Sequence, residues 1–246
     1  MPSLPTNLIE RLITVLPWQD WAALALFIGG WIGYALFADW RAKVQRTLLS
    51  STNHYRKLWM RQVTFRDQRI VDAAVVQNLS ASPSFWASTT ILVLGGLLAV
   101  LGTSEKATGL VQDLPFAART SMLIFDLKIM TLLVVFIYAF FRFTWSMRVY
   151  SFGAILVGAA PNVEVFDSGV ADRDEYADRA GRLMGMAAES FADGLRAYYM
   201  SFAVIGWFIS PGVFVLLTLA VLWVLFRREF RSDVSAILRA DAPGHL

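Results

Sequence analysis

The charged residues that stand in apolar surroundings are few, and they fall into two groups. Asp126 and Lys128 lie inside the apolar stretch Ser121–Phe141. An ionisable side chain in a segment of membrane length costs roughly 2.5–3.5 kcal/mol on insertion scales, which makes it a functional candidate by default. Two positions apart, these residues do not face each other on a helix, so each needs a partner elsewhere or water. One reading is transport. The other is structural ion pairing, with Lys128 in the outer third of the segment and able to snorkel to the headgroups. The second group is Glu189, Asp193 and Arg196, which precede another apolar block, with Arg142 closing the first. Glu189 and Asp193 are spaced i, i+4 and share a helix face. With Ser88, Thr89, Thr90 and Asp39 they form either a polar vestibule or a set of salt bridges among helix ends, where charge is least costly.

Other chemistry is excluded by composition. The chain has no cysteine, so disulfides, thiolate metal sites, iron–sulfur clusters and thiol catalysis are ruled out. Its two histidines, His54 and His245, cannot build a multi-histidine centre. No phosphate-loop, dinucleotide, nucleophile-elbow or zinc-protease spacing occurs. No metal, cofactor or enzymatic activity is expected.

The elements that must position these residues follow from apolar patterning. The 246 residues are 57% hydrophobic and 17% charged, with a mean hydropathy of +0.52. Soluble domains run about 45–50% apolar and about 25% charged. The pattern predicts an all-α, polytopic helical membrane protein. Spans are expected at about 18–38, 85–102 and 121–141, the second starting after Pro83-Ser84. The uncharged block Ala197–Phe226 would be about 45 Å long as one helix, against a hydrocarbon core of about 30 Å. Ser210-Pro211 in its middle is a helix-start signal. The block is therefore either a hairpin, with arms at 195–209 and 211–228, or one kinked fourth span.

Charge favours the hairpin. Eight basic residues (Arg41, Lys43, Arg46, Arg56, Lys57, Arg61, Arg66 and Arg69) lie between the first two spans, and Arg227, Arg228, Arg231 and Arg239 follow the last apolar block. Positive charge stays inside, which places both segments in the cytoplasm and predicts five crossings of the inner membrane with a cytoplasmic C-terminus. The pI of about 9.3 is explained this way without nucleic acid. Residues 1–17 lack the basic start of a cleavable signal and read as a retained interfacial segment. Residues 18–232 read as one membrane domain and 233–246 as a tail.

Between spans the chain stays helical. Tyr55–Leu79 has no Gly or Pro and is expected as a helix running towards the second span, its basic face either solvated or held against anionic lipid. Arg142–Val157 continues the third span. Pro161-Asn162 and Asp167-Ser168-Gly169 mark loops. Asp172-Arg173-Asp174-Glu175 suits a first helical turn. From Tyr176 to Leu195, apolar residues recur every three to four positions on an amphipathic helix. Gly29-x-x-x-Gly33 and Gly181-x-x-x-Gly185 permit close helix approach.

The blocks Trp59-Met60-Arg61, RIVDA at 69–73, SFWASTTIL at 84–92, YAFFRFTWSMR at 138–148, AESFADGLRAYY at 188–199 and LFRREFRS at 225–232 resemble the domain of unknown function 599 family of bacterial and plant membrane proteins. The resemblance implies a multi-helix integral membrane protein and carries no activity, substrate or cofactor. In that family's pattern the position of Asp193 is often a neutral polar residue, which weakens an essential role for its carboxylate. The expected function is an oligomeric pore or transporter for a small ion or solute, using Asp126, Lys128, Arg142, Glu189, Asp193 and Arg196. The alternative is a non-catalytic accessory or scaffold subunit of a larger membrane assembly. Expected partners are membrane lipids and either further copies or other subunits, with no nucleic acid.

Overall fold

The computed structural model describes residues 16–44, 47–103 and 121–240. The expected interfacial segment 1–17 lies outside the described residues up to residue 15, and so does the connection 104–120. Every regular element among those described is helical: α1 (Trp18–Val44), α2 (Leu48–Val63), α3 (Ile70–Gly102), α4 (Met122–Ala159), α5 (Val163–Asp167), α6 (Arg173–Gly206), α7 (Pro211–Phe230) and α8 (Asp233–Ala240).

Local chemistry sets the helix starts. Thr47 and Ser50 form a capping box on α2, with Ser50 N donating to Thr47 Oγ1 at 3.1 Å and Thr47 N to Ser50 Oγ at 2.8 Å. Asp172 accepts from Asp174 N and Glu175 N at 2.8 and 2.9 Å and starts α6 where the acidic run predicts. Gly169, at φ 76°, supplies the left-handed residue that this turn requires. Ser210 Oγ accepts from Val213 N at 3.1 Å, and Pro211 opens α7. The apolar block is thus two helices that fold back on each other, not one kinked rod. Gly206 makes the hairpin tight: a Cβ there would lie 2.5 Å from Leu217 Cδ1.

Two expectations are corrected. Tyr55–Leu79 is not one helix. It breaks after Val63, where the Thr64 hydroxyl donates back to the Arg61 carbonyl and Asp67 turns away to accept from Val163 N. Pro83 does not start a helix either, since α3 passes through it. Proline costs a helix one hydrogen bond and a clash, and here the Pro83 ring is buried while the helix continues through it.

The helices α3, α4 and α6 each run through two hydrophobic cores. The larger core gathers Phe27 of α1, Ala87 of α3, Phe136, Ala139 and Phe143 of α4, Met200, Val204 and Trp207 at the end of α6, and Phe214 of α7. The second gathers Met60 and Val63 of α2, Val76 of α3, Val149 and Tyr150 of α4, and Ala177, Ala180 and Met184 of α6. Among the described residues three helices, α1 over Trp18–Ala38, α3 and α4, are long and apolar enough to cross a membrane. Around the first core, α4 packs against α3 and α6, and α7 packs against α6 and α1. Around the second, α2 lies against α6. Its approach uses Gly181 and Gly185, where an added Cβ would meet the Lys57 Cα at 2.9 Å and the Asn53 side chain at 3.2 Å. Gly29 and Gly33 have open space beside them and bring no helix close.

Candidate functional site

At the turn between α6 and α7 a lysine completes a helix end. The Trp207 carbonyl would, in a continuing helix, accept from residue 211. Residue 211 is proline and has no N–H. Lys128 Nζ donates to that carbonyl instead, at 2.8 Å. The ammonium also lies 5.6 Å from the Trp207 ring and 5.7 Å from the Phe208 ring. A cation at the negative pole of α6 and over two aromatic faces is favourable on both counts. Trp207 Nε1 in turn donates to Asp20 Oδ1 of α1 at 2.5 Å. Lys128 is 2% exposed, so the expected snorkelling does not occur: its charge is met by a carbonyl at the same depth. Asp126 does not join this network, and its Oδ1 is buried without a hydrogen-bond partner among the described residues.

The second group meets at the other end of the larger core. Asp193 is held by two guanidinium groups: Arg142 Nη2 donates to Oδ2, and Arg196 Nη1 donates to Oδ1 at 2.8 Å. Arg196 also pairs with Glu229 of α7, N to O 4.0 Å. These side chains are largely shielded, from 13% exposed at Arg196 to 32% at Arg142. The backbones of α4 and α6 are close here because Gly194 has no Cβ to meet the Phe143 ring. Ser190 Oγ donates to the Arg142 carbonyl at 2.8 Å and Ser146 Oγ to the Ala187 carbonyl at 2.7 Å, tying the two helices together. The arrangement is a three-helix clamp.

Glu189 is not part of it. Its carboxylate accepts from Asn53 Nδ2 at 2.9 Å, and Asn53 accepts from Arg56 Nη1 at 2.8 Å, so Glu189 anchors α2. Of the residues expected to line a vestibule, Ser88 is exposed, Thr89 donates back to the Phe85 carbonyl within its own helix, and Thr90 is buried against the Tyr198 hydroxyl at 2.8 Å. The Asp39 side chain lies outside the described residues.

A third cluster was missed. Asp72 is 1% exposed, in the first turn of α3. It accepts from Trp59 Nε1 at 2.8 Å and Arg66 Nη1 at 3.0 Å, and it sits at the positive pole of its helix. Arg69 donates to the carbonyls of Ala160 and Pro161 at 2.5 Å each, satisfying the end of α4. The available signal was the coincidence of Trp59, Arg69 and Asp72 with two of the motif blocks. Glu229 was also missed; it is the acid between Arg228 and Arg231 after the last apolar block.

Outside the apolar segments, the hydrogen bond from Lys57 to Asp178, 2.6 Å, holds the Asp178 carboxyl below its ordinary value. Burial pushes the Arg56 guanidinium down, opposed by Tyr150 and Glu189. Among the described residues no three His, Asp or Glu side chains are grouped to hold a metal.

The model of the family described as protein of unknown function, DUF599, matches residues 22–234. The chain belongs to this family. The match takes in α2 to α7 whole, with the Asp193 clamp, the Asp72 anchor and the Lys128–Trp207 contact inside it, while Asp20, the partner of the Trp207 indole, precedes it. No curated protein and no solved structure matches the chain.

Proposed function

We propose that this DUF599 protein is a five-crossing inner-membrane protein with a cytoplasmic C-terminus, acting as a non-catalytic scaffold or accessory subunit in a larger membrane assembly. The observation that carries this reading is the unbroken passage of α3, α4 and α6 from the apolar core into the second core. That continuity couples a helical platform rigidly to the membrane segments, as a docking scaffold requires. The charges support it: Lys128 and Asp193 have protein partners, so they act as locks between helices.

A second reading, a pore or transporter, is favoured by one group, the buried and unpaired Asp126 Oδ1. Purified protein in liposomes separates the two. On the scaffold reading, sodium, potassium, proton and chloride flux match empty vesicles, and gentle extraction yields a stoichiometric complex with a different protein. Flux that Asp126→Asn abolishes, from a complex of identical copies, would overturn it.

A further inference from the structure

At the arginine end of α7, three guanidinium groups surround a cavity of about 470 Å³ lined by Trp223, Val224, Arg227, Arg228, Arg231 and the first residues of α8. Each guanidinium rests on an aromatic ring: Arg227 on Trp223 at 5.5 Å, Arg228 on Tyr199 at 5.4 Å and Arg231 on Phe226 at 5.9 Å. Arg228 also donates to the Tyr199 hydroxyl at 2.7 Å. The rings orient the cations without neutralising them. Among the described residues no carboxylate forms an ion pair with any of the three: Glu229 turns to Arg196, and Asp233, which also lines the cavity, lies beyond ion-pair distance. Three positive charges and one negative line the same space.

The arginine cavity continues along α7 into an apolar helix face. Leu216, Leu219 and Trp223 are exposed and share a helical face with Arg227. From Leu216 to Arg227 the rise is about 16 Å, half of a hydrocarbon core of about 30 Å. The face therefore has the dimensions of one phospholipid: a headgroup seat at the arginines and a track for an acyl chain below. We infer that this face binds an anionic phospholipid of the cytoplasmic leaflet, its phosphodiester held by Arg227, Arg228 and Arg231 and one chain lying along Trp223, Leu219 and Leu216.

The inference rests on the reading that α7 crosses the membrane with this end at the cytoplasmic headgroups. Impermeant labelling of a cysteine at Val234 tests that reading separately. For the site, delipidated full-length protein is incubated with phosphatidylglycerol and phosphatidylcholine of matched chains, and retained lipid is counted by native mass spectrometry. Wild-type protein should retain phosphatidylglycerol preferentially. Arg227→Gln with Arg231→Gln should reduce that preference about thirtyfold, at roughly 1 kcal/mol for each of the two basic residues near a membrane surface, while Arg148→Gln, which removes an exposed arginine elsewhere, should leave it intact. Equal retention of the two lipids, or an unchanged preference in the double variant, overturns the site. Displacement by inorganic phosphate or by glycerophosphoglycerol, a headgroup without chains, overturns the lipid assignment in favour of a free anion.

Discussion

Lys128 shows how a buried charge is accommodated when its partner is a backbone group. Replacing it with leucine strips the Trp207 carbonyl of its donor, and a buried unsatisfied acceptor costs about 1–3 kcal/mol. Lys128→Leu should therefore lower the detergent melting temperature clearly. Asp20→Leu strands the Trp207 indole N–H in the same way. The two substitutions act on one tryptophan, so their combination should depart from additivity by about 0.5–3 kcal/mol. Additive melts would show that the two contacts are independent. Asp178 supplies a pH test. Its carboxyl is held down in the folded protein, chiefly by Lys57. Its contribution is thus present above the ordinary carboxylate range and is lost as pH falls through the depressed value. Amide protection in α2, corrected for the intrinsic exchange rate at each pH, should fall below about pH 4 in the wild type, and Asp178→Asn should flatten that response. A wild-type α2 whose exchange is indifferent to acid would remove this link.

At the scale of elements, the docking of α2 on α6 depends on two glycines. Gly181→Val places methyl groups where the Lys57 backbone already lies 2.9 Å from an added Cβ. Overpacking of this kind costs typically about 1–3 kcal/mol, and limited proteolysis should cut α2 free. Gly29→Ala meets nothing and gains helix propensity of up to about 1 kcal/mol, so it should leave the melt unchanged or raise it. If Gly29→Ala destabilises as much as Gly181→Val, the packing account of both is wrong. The α6–α7 turn is better determined, because Ser210 and Pro211 act locally.

For the whole molecule, the open question of sidedness has a direct test in a chain without cysteine. Ser51 is 3% exposed and would make a poor reporter. His54 and Ser168 are exposed, and so is Val234. Cysteines at these three positions should resist a membrane-impermeant thiol reagent in intact cells, while one at Thr103 should react. Labelling at Val234 alone with Thr103 would mean an odd relation between α7 and the bilayer and four crossings.

Composition and apolar patterning by themselves determined the helical class, the three longest apolar helices and the start of α6, because each depends on residues within one or two turns. The blocks at 59–61, 69–73, 84–92, 138–148, 188–199 and 225–232 determined the family. Contacts were legible only where a local rule implied them, as with Gly181 and Gly185. The partners of the charges were not. Lys128 meets a carbonyl 79 positions away, Asp193 meets Arg142 across 51, and Glu189 reaches across 136 to Asn53 instead of joining its helical neighbour. A charge restricts its partner only to some group of complementary polarity at the same depth. Which group that is depends on the rotation and height of neighbouring helices, and these are set by core packing and by the small residues that let helices approach.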